Sequence, residues 1–172
     1  TPVINRKLGN FEKKPGLYKT AEGAFSMVKD IQYVDQNPIG KSSRSNPVTY
    51  IKAWDHVREL YVSQKLSKQR KYKAAYFSFN VDGGRCETCK GEGQIKVEMQ
   101  FMADVYLTCE ECKGKRFKEE ILEVKYRDKD ISDILEMTIN EAVDFFKQGK
   151  GKTEEKITAL LSNYQKVGLG YL

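Results

Sequence analysis

The stretch Cys86–Cys112, which reads CETCKGEGQIKVEMQFMADVYLTCEEC, contains all four cysteines of the chain. They form two Cys-x-x-Cys pairs, and nineteen residues separate the pairs. Zn²⁺ prefers a tetrahedron of thiolates in structural sites, and each Cys-x-x-Cys turn supplies two thiolates from one tight loop. The spacing therefore predicts one structural zinc site, with the ligands Cys86, Cys89, Cys109 and Cys112. Because four thiolates leave no position open for a catalytic water, the pattern argues against metal catalysis.

The residues between the two pairs predict a β-hairpin that projects over about Gly91–Leu107. Alternation with period two is typical of a strand. The segment Gln94–Phe101 shows it, with apolar residues at Ile95, Val97, Met99 and Phe101. A glycine follows each cysteine pair, in Lys-Gly-Glu-Gly and Lys-Gly-Lys-Arg, so that backbone N–H groups can turn towards the sulfurs. The two halves thus form a pseudo-repeat that is complete the first time and degenerate the second.

Two other interpretations of the cysteines fit the sequence less well. A pair of disulfides is typical of short secreted scaffolds, whereas this chain has 172 residues and shows no secretory signal. Cys-x-x-Cys pairs also rarely close on themselves as structural bridges. A redox motif would explain neither the second pair at this spacing nor the glycine after each pair.

Composition indicates a globular protein with one domain, or one domain with an insertion. The chain is 40% hydrophobic and 31% charged, which allows a buried core and a well-solvated surface. No apolar run approaches the roughly 18 residues of a membrane span. No targeting segment is recognisable, and we therefore expect a cytoplasmic protein without membrane contact.

The net charge of +6 is concentrated in one segment. Between positions 41 and 75 the acidic residues are Asp55 and Glu59, against nine basic residues, which gives +7. The basic residues are Lys41, Arg44, Lys52, Arg58, Lys65, Lys68, Arg70, Lys71 and Lys73. A concentrated run of this kind favours a polyanionic partner, most often nucleic acid. A solvated helical face is the alternative, and the run alone leaves it open.

The sequence predicts no catalytic residue. Gly40-Lys41-Ser42 resembles the end of a phosphate-binding loop, but the required glycine five residues earlier is Asp35. Gly151-Lys152-Thr153 fails in the same way, because Phe146 stands at that position. The single histidine, His56, argues against a catalytic triad and is better explained as a surface residue than as a fifth zinc ligand.

Local signals predict helices on both sides of the zinc stretch. Asn46-Pro47 starts a helix with a side-chain cap and a proline in the first turn, followed by the apolar stripe Ile51, Trp54, Val57, Leu60 and Tyr61. Further helices are expected at Ile131–Glu136, from the capping-box pair Thr138 and Glu141, and at Thr153–Val167. Asp128–Asp130 and Asp82-Gly83-Gly84 are expected to be turns.

Short strands are expected at Val28–Val34, Tyr76–Val81 and Lys118–Tyr126, with Phe77 and Phe79 in the core. The predicted fold class is therefore α+β: a mainly helical lobe with short antiparallel strands and an inserted four-cysteine zinc module that carries a β-hairpin.

Five runs of the sequence closely resemble the UvrA family of bacterial nucleotide-excision-repair ATPases. They are VDQNPIGKSSRSNPVTY (34–50), FSFNVDGGRCETCKGEG (77–93), DVYLTCEECKGKRF (104–117), ISDILEMTINEAVDFF (131–146) and VGLGYL (167–172). Together they cover most of the chain. The resemblance points to the second of the two ATP-binding-cassette halves in that family.

This resemblance implies a fragment of a larger ATPase. The matching span lies after the phosphate loop and before the signature and Walker B motifs, so the chain itself is expected to have no ATPase activity. The implied parent binds ATP and Mg²⁺, forms a homodimer, works with UvrB and recognises damaged duplex DNA. The implied fold is a largely helical signature domain that carries a zinc module, whose hairpin helps to read distorted DNA by its shape and deformability.

The resemblance also assigns roles to particular residues. Gln36 matches the Q-loop glutamine that senses Mg²⁺ and the γ-phosphate, a role that suits an amide because it can bind metal, water or phosphate. The four cysteines match the zinc ligands of the family. The positions expected to face DNA are Lys41, Arg44, Lys52, Arg58 and Arg85. Lys41 departs from the family pattern, in which arginine is more usual, and a lysine loses the bidentate geometry of a guanidinium.

These assignments divide the chain into four expected segments: residues 1–46 as part of the cassette with the Q-loop, 47–85 as a helical basic region, 86–117 as the zinc module and 118–172 as the rest of the helical domain.

One alternative function belongs to another class of protein. Cys-x-x-Cys-x-Gly-x-Gly at Cys86–Gly93 is also similar to the cysteine-rich region of DnaJ-type chaperones, which would make the chain a zinc-stabilised protein-interaction module. The flanking runs fit the UvrA family and not that region.

Overall fold

The computed structural model describes residues 2–9, 14–31 and 46–172, and its backbone divides into two units, Thr1–Pro38 and Ile39–Leu172. In the first unit a short helix, α1 (Pro2–Lys7), and a single 3₁₀ turn at Phe25–Met27 are the regular elements among the described residues. None of the described residues of this unit is buried. The strand predicted at Val28–Val34 is wrong over 28–31, which has no strand pairing, and its remainder lies outside the described residues.

The second unit is mainly helical. Its described helices are α2 (Pro47–Tyr50), α3 (Ala53–Val62), α4 (Lys65–Gln69), α5 (Glu119–Leu122), α6 (Ile131–Glu136), α7 (Ile139–Lys147) and α8 (Lys152–Lys166). Two strands, β1 (Gln94–Val97) and β2 (Val105–Thr108), form one antiparallel hairpin. The α+β fold class, with a helical lobe and an inserted hairpin, is confirmed. No helix in the described ranges has the length and hydrophobicity needed to cross a bilayer.

The helix starts follow the predicted capping chemistry. The Asn46 side chain accepts a hydrogen bond from the Val48 backbone N–H at 3.0 Å, with Pro47 in the first turn. The predicted capping box of Thr138 and Glu141 is present at the start of α7. The first helix is nevertheless split into α2 and α3, because Lys52 takes a left-handed conformation with φ of 60°.

The core forms where α3, α7 and α8 pack together. The apolar stripe predicted for α3 is largely buried, while Ile51 remains half-buried at the edge. Phe77 and Phe79 are fully buried, as predicted, and the Trp54 indole N–H donates to the Phe77 carbonyl at 3.2 Å. The principal buried side chains are Trp54, Val57, Tyr61, Phe77, Phe79, Phe117, Ile121, Val143, Phe146, Ile157 and Leu161.

Two of the predicted strands are wrong because burial follows a different period. Tyr76–Val81 contains the end of a 3₁₀ helix, Ala74–Phe77, and the buried side chains of Phe77, Ser78 and Phe79 follow one another without alternation. Lys118–Tyr126 contains helix α5 instead of a strand. Its buried residues, Ile121 and Val124, are three positions apart, which suits a helical turn.

Candidate metal centre

The four cysteine sulfurs converge on one point. All of them lie within 4.8 Å of one another, with 3.9 Å between the Sγ atoms of Cys86 and Cys109 and 3.7 Å between those of Cys89 and Cys112. A tetrahedron of thiolates about 2.3 Å from Zn²⁺ has sulfur–sulfur edges of about 3.8 Å. A disulfide needs about 2.05 Å, and all four cysteines are free thiols. The donor set therefore fits a structural zinc ion, and the disulfide interpretation is wrong.

The two Cys-x-x-Cys turns have the same backbone conformation. Directly after the second cysteine of each pair, Lys90 and Lys113 are left-handed with φ of 52° and 50°, and the glycine that follows each has φ of +84°. The Glu92 N–H then donates to the Cys89 carbonyl at 3.0 Å, and the Lys115 N–H donates to the Cys112 carbonyl at 2.9 Å. The pseudo-repeat predicted from the sequence is thus a repeat of backbone geometry.

The first cysteine turn requires glycine at position 91 for two reasons: its positive φ and the lack of room for a Cβ atom. A Cβ at Gly91 would lie 2.0 Å from the Phe79 carbonyl oxygen, which real Cβ atoms do not approach. Beyond it, the Gly93 N–H donates to the Cys89 sulfur at 3.2 Å. This contact stabilises a thiolate and orients it towards the centre of the site.

Burial makes two of the four thiols, those of Cys89 and Cys112, costly to ionise without a cation. All four are buried, and burial raises the pKa of Cys112 to about 12 and also raises the pKa of Cys89. At Cys109 burial opposes ionisation too, but backbone N–H groups of Cys112 and Glu111 outweigh it and lower the pKa. Zn²⁺ would offset half of the negative charge of four thiolates and add its binding free energy to folding.

Hydrogen bonds pair the chain segments that enter and leave the zinc module. The Cys86 N–H donates to the Arg116 carbonyl at 2.8 Å, and the Lys118 N–H donates to the Gly84 carbonyl at 2.9 Å. Phe117, on the same short bridge, is 1% exposed and belongs to the lobe core. The zinc module is therefore continuous with the packed core.

A second attachment, which the sequence interpretation missed, is centred on Asp130. This residue is 1% exposed and accepts hydrogen bonds from the Ser132 and Asp133 backbone N–H groups at the start of α6. The other carboxylate oxygen of Asp130 lies 2.8 Å from the Lys125 Nζ and 3.5 Å from the Lys115 Nζ. Lys115 belongs to the turn that begins at the last cysteine, Cys112. Burial opposes ionisation of Asp130, but Lys125 and these N–H donors lower its pKa overall. Aspartate at the capping position, three residues before Asp133, was the available sequence signal.

The residues expected to face DNA differ in their surroundings. Gln36, Lys41 and Arg44 lie outside the described residues. Lys52 is exposed, and the described part of the chain contains no ion-pair partner for it. Arg58 pairs with Asp55 on the same helix.

Arg85 is largely enclosed by the first cysteine turn. It donates to Asp82 at 2.6 Å and to the backbone carbonyls of Asn80 and Lys90 at 3.4 and 3.2 Å. These contacts show that Arg85 stabilises the turn. Its predicted contact with DNA stays a prediction.

The remaining basic run is mostly solvent-facing. Arg70 pairs with Glu123 on the neighbouring segment. His56 is a half-buried surface residue, and its Nδ1 lies 3.2 Å from a carboxylate oxygen of Glu59. It is not a member of the cysteine cluster. The lysines that are exposed, and that have no acidic partner among the described residues, are Lys65, Lys68, Lys71 and Lys73.

Comparison with known proteins supports the interpretation of the cysteines. No family model matches the chain. UvrABC system protein A from Clostridium tetani is 52% identical over 169 residues, which is 98% of this chain and 17% of that protein. The Staphylococcus aureus protein of the same name is 47% identical over 98% of this chain and 17% of its own length.

A solved structure of a protein from the same family also matches the chain. UvrA2 from Deinococcus radiodurans superposes with a TM-score of 0.80 at 45% identity, over 88% of this chain and 18% of that one. The chain therefore spans about one sixth of the length of the relatives that it matches. Over almost its whole length, the chain corresponds to a segment of the UvrABC system protein A family.

Proposed function

We propose that this chain is the zinc-stabilised, DNA-contacting lobe of an excision-repair ATPase subunit that recognises damaged duplex DNA. The observation that carries the proposal is the combination of 52% identity over 98% of the chain with a converged four-thiolate site. The identity over 98% of the chain favours the excision-repair family over the DnaJ-type alternative, which would also contain a four-thiolate zinc site. In this proposal residues 86–117 are the zinc module, and it lies between the helical segments 47–85 and 118–172.

Phosphate contacts are assigned to the unpaired lysines of the basic run. Lys52, Lys65, Lys68, Lys71 and Lys73 are exposed and have no acidic partner within the described residues. A solvated ammonium without a local counter-ion is free to neutralise a phosphate, and such contacts carry no sequence information. Independence from sequence suits a protein whose target is distorted DNA of any sequence.

Nucleotide chemistry is assigned to the parent protein. Residues 1–46 would belong to its cassette, with Gln36 sensing ATP and Mg²⁺ bound elsewhere in the subunit. The sequence contains no complete phosphate loop, so this chain alone is not expected to hydrolyse ATP. Homodimerisation of the parent, its interaction with UvrB and its cytoplasmic location are part of the same proposal.

The test is fluorescence anisotropy of the zinc-loaded chain with intact and lesion-bearing duplexes across a salt series. We expect affinity to fall steeply as salt rises, and each lost phosphate contact to reduce the salt slope by roughly one unit. Lys41→Ala combined with Arg44→Ala should weaken binding, as should Lys52→Ala. Lys147→Ala, at the exposed end of α7, removes the same charge outside the basic run and should leave binding unchanged. Absence of binding at low salt would contradict the proposal for this chain.

A further inference from the structure

The four cysteines differ in their access to solvent. Cys89 and Cys112, the second cysteine of each pair, are 6% and 8% exposed, whereas Cys86 and Cys109 are 2% and 0% exposed. The backbone N–H groups of Cys86 and Cys109 also donate to carbonyls at 2.8 Å and 2.9 Å, which fixes the start of each turn. Oxidation of cysteine follows thiolate character and exposure. Cys89 and Cys112 are therefore the cysteines that a small oxidant would reach first.

A cleft of about 960 Å³ borders the second cysteine turn, and its lining includes Cys112, Glu111 and Lys113. The cleft is much larger than a small oxidant needs, since a water molecule occupies about 30 Å³. Cys86 also borders this cleft, but its side chain is the less exposed of the two. The cleft thus gives hydrogen peroxide or a small organic hydroperoxide a route to Cys112.

The sulfur that can react with an oxidised Cys112 belongs to the other turn. The Sγ atoms of Cys89 and Cys112 are 3.7 Å apart, and a disulfide needs about 2.05 Å, so a movement of less than about 1 Å by each sulfur closes the gap. The two cysteines occupy equivalent positions of the repeated turn, each followed by a left-handed lysine and a glycine. An accessible thiolate beside a second cysteine that can resolve its oxidised form is the arrangement found at reversible oxidation sites.

We propose that Cys89 and Cys112 are an oxidation site for hydroperoxides, at which a disulfide forms between the two cysteine turns and zinc is released. The Cys112 thiolate attacks one peroxide oxygen, the O–O bond breaks, and a sulfenic acid forms while hydroxide or an alkoxide leaves. The Cys89 thiolate then attacks the Cys112 sulfur, and the S–S bond forms as hydroxide leaves. The two thiolates lose two electrons, the peroxide gains two, and two protons from solvent neutralise the leaving groups.

The disulfide would keep the two turns joined after the ion has left. Oxidation removes two of the four ligands, and the remaining two thiolates hold Zn²⁺ more weakly than four. The new covalent bond closes residues 89–112, including the hairpin, into a loop. The resting site consists of free thiols, and thiol–disulfide exchange with a reductant returns the oxidised pair to that state.

The test is treatment of the zinc-loaded chain with hydrogen peroxide, with released zinc measured by a chromogenic chelator and disulfides mapped by mass spectrometry. Cleavage after glutamate places the four cysteines in four different peptides, which are 60–87, 88–92, 99–110 and 112–119. We expect one equivalent of zinc to be released. At half release, the linkage of 88–92 to 112–119 should exceed that of 60–87 to 99–110 by at least about threefold, because exposure selects the first thiolate.

The chain contains its own controls. The Cys86–Cys109 pair, with sulfurs 3.9 Å apart, measures what proximity alone achieves in the same site. The two peptides of the proposed linkage contain no methionine, so methionine oxidation does not affect their masses. Diamide, which oxidises thiols and spares methionine, should give the same linkage, and a thiol reductant with added zinc should restore the zinc-loaded chain.

Three results would overturn the proposal. They are zinc that stays bound after the exposed Met99 and Met102 are fully oxidised, a first disulfide within one turn or between Cys86 and Cys109, and zinc release that no reductant reverses. The unaltered chain is used throughout, so misfolding of a variant cannot produce any of these results. DNA binding is not read out, and the outcome is therefore independent of the proposed function.

Discussion

The cysteine turns and the hairpin between them belong to one continuous stretch, yet they are stabilised in opposite ways. The four cysteines of the turns are buried, backbone hydrogen bonds join the two ends of the zinc module, and the first turn lies so close to the Phe79 carbonyl that only glycine fits at position 91. The hairpin exposes every residue of both strands. The contrast shows that the four-thiolate site organises the attachment to the lobe, whereas the hairpin presents a surface. Each prediction below tests that contrast, beginning with the largest expected effect.

Removal of zinc should have the largest effect. Chelation, or Cys109→Ala, leaves buried thiols without their cation and removes binding free energy that contributes directly to folding. We expect loss of cooperative structure in residues 86–117, measured as collapse of amide hydrogen-exchange protection there. Protection that persists after complete chelation would show that hydrogen bonds alone maintain the turns.

Truncating a buried isoleucine of the lobe should cost far more stability than truncating an exposed isoleucine of the hairpin. Ile121 is fully buried, and Ile121→Ala should lower the free energy of unfolding by about 2–5 kcal/mol. The matched change Ile95→Ala, on the exposed hairpin, should lower it by less than about 0.5 kcal/mol in dilute solution. Urea denaturation at low protein concentration measures both. Similar losses for the two variants would contradict the distinction.

The two equivalent glycines should differ in their tolerance of alanine. Gly91 and Gly114 have the same positive φ, so alanine meets the same backbone strain of about 1 kcal/mol at each. At Gly91 the new Cβ would also clash with the Phe79 carbonyl oxygen, whereas at Gly114 its nearest neighbour, a Thr108 methyl, is 3.5 Å away. We expect Gly91→Ala to be more destabilising by about 1–3 kcal/mol, as measured by thermal unfolding of zinc-loaded protein. Equal costs would indicate that conformation alone selects glycine.

The smallest effect is expected from the aspartate that joins the zinc module to α6. The pKa of Asp130 is lowered in the folded chain, so its stabilisation is present above the unfolded value of about 3.9 and is lost as pH falls through the folded value. Asp130→Asn should therefore lower stability by about 1 kcal/mol at neutral pH, since both lysine partners are half-exposed, and by progressively less in acid.

Asp104 provides the control on the hairpin. Its pKa is also lowered, chiefly by its hydrogen bond to Lys96, but it lies on the exposed hairpin rather than in the attachment to the lobe. Asp104→Asn should change the pH profile of urea unfolding much less than Asp130→Asn, because solvent screens the ion pair of Asp104 with Lys96. A profile altered equally by both variants would show that Asp130 has no special role in the attachment.

Much of the candidate site was accessible from sequence because metal coordination and helix capping depend on local chemistry. The spacing of four cysteines predicted that their sulfurs converge, and Asn46, Thr138 and Glu141 predicted helix starts; the structure confirms both. Alternation between the cysteine pairs indicated a hairpin with one apolar face. These signals act over a few residues or through ligand chemistry, and distant contacts do not override them.

Tertiary packing alone decided the features that depend on a distant partner. The segment around Phe77 alternates like a strand, but the core buries three consecutive side chains, and the segment after Lys118 forms a helical turn. Asp130 gains its role only when Lys115, which precedes helix α5, and Lys125, which follows it, reach the same carboxylate oxygen. The sequence determined the four cysteines that can hold zinc, the helix starts and the alternation that gives the hairpin one apolar face. Only the folded chain determined that this face is left exposed, because burial depends on which elements pack nearby.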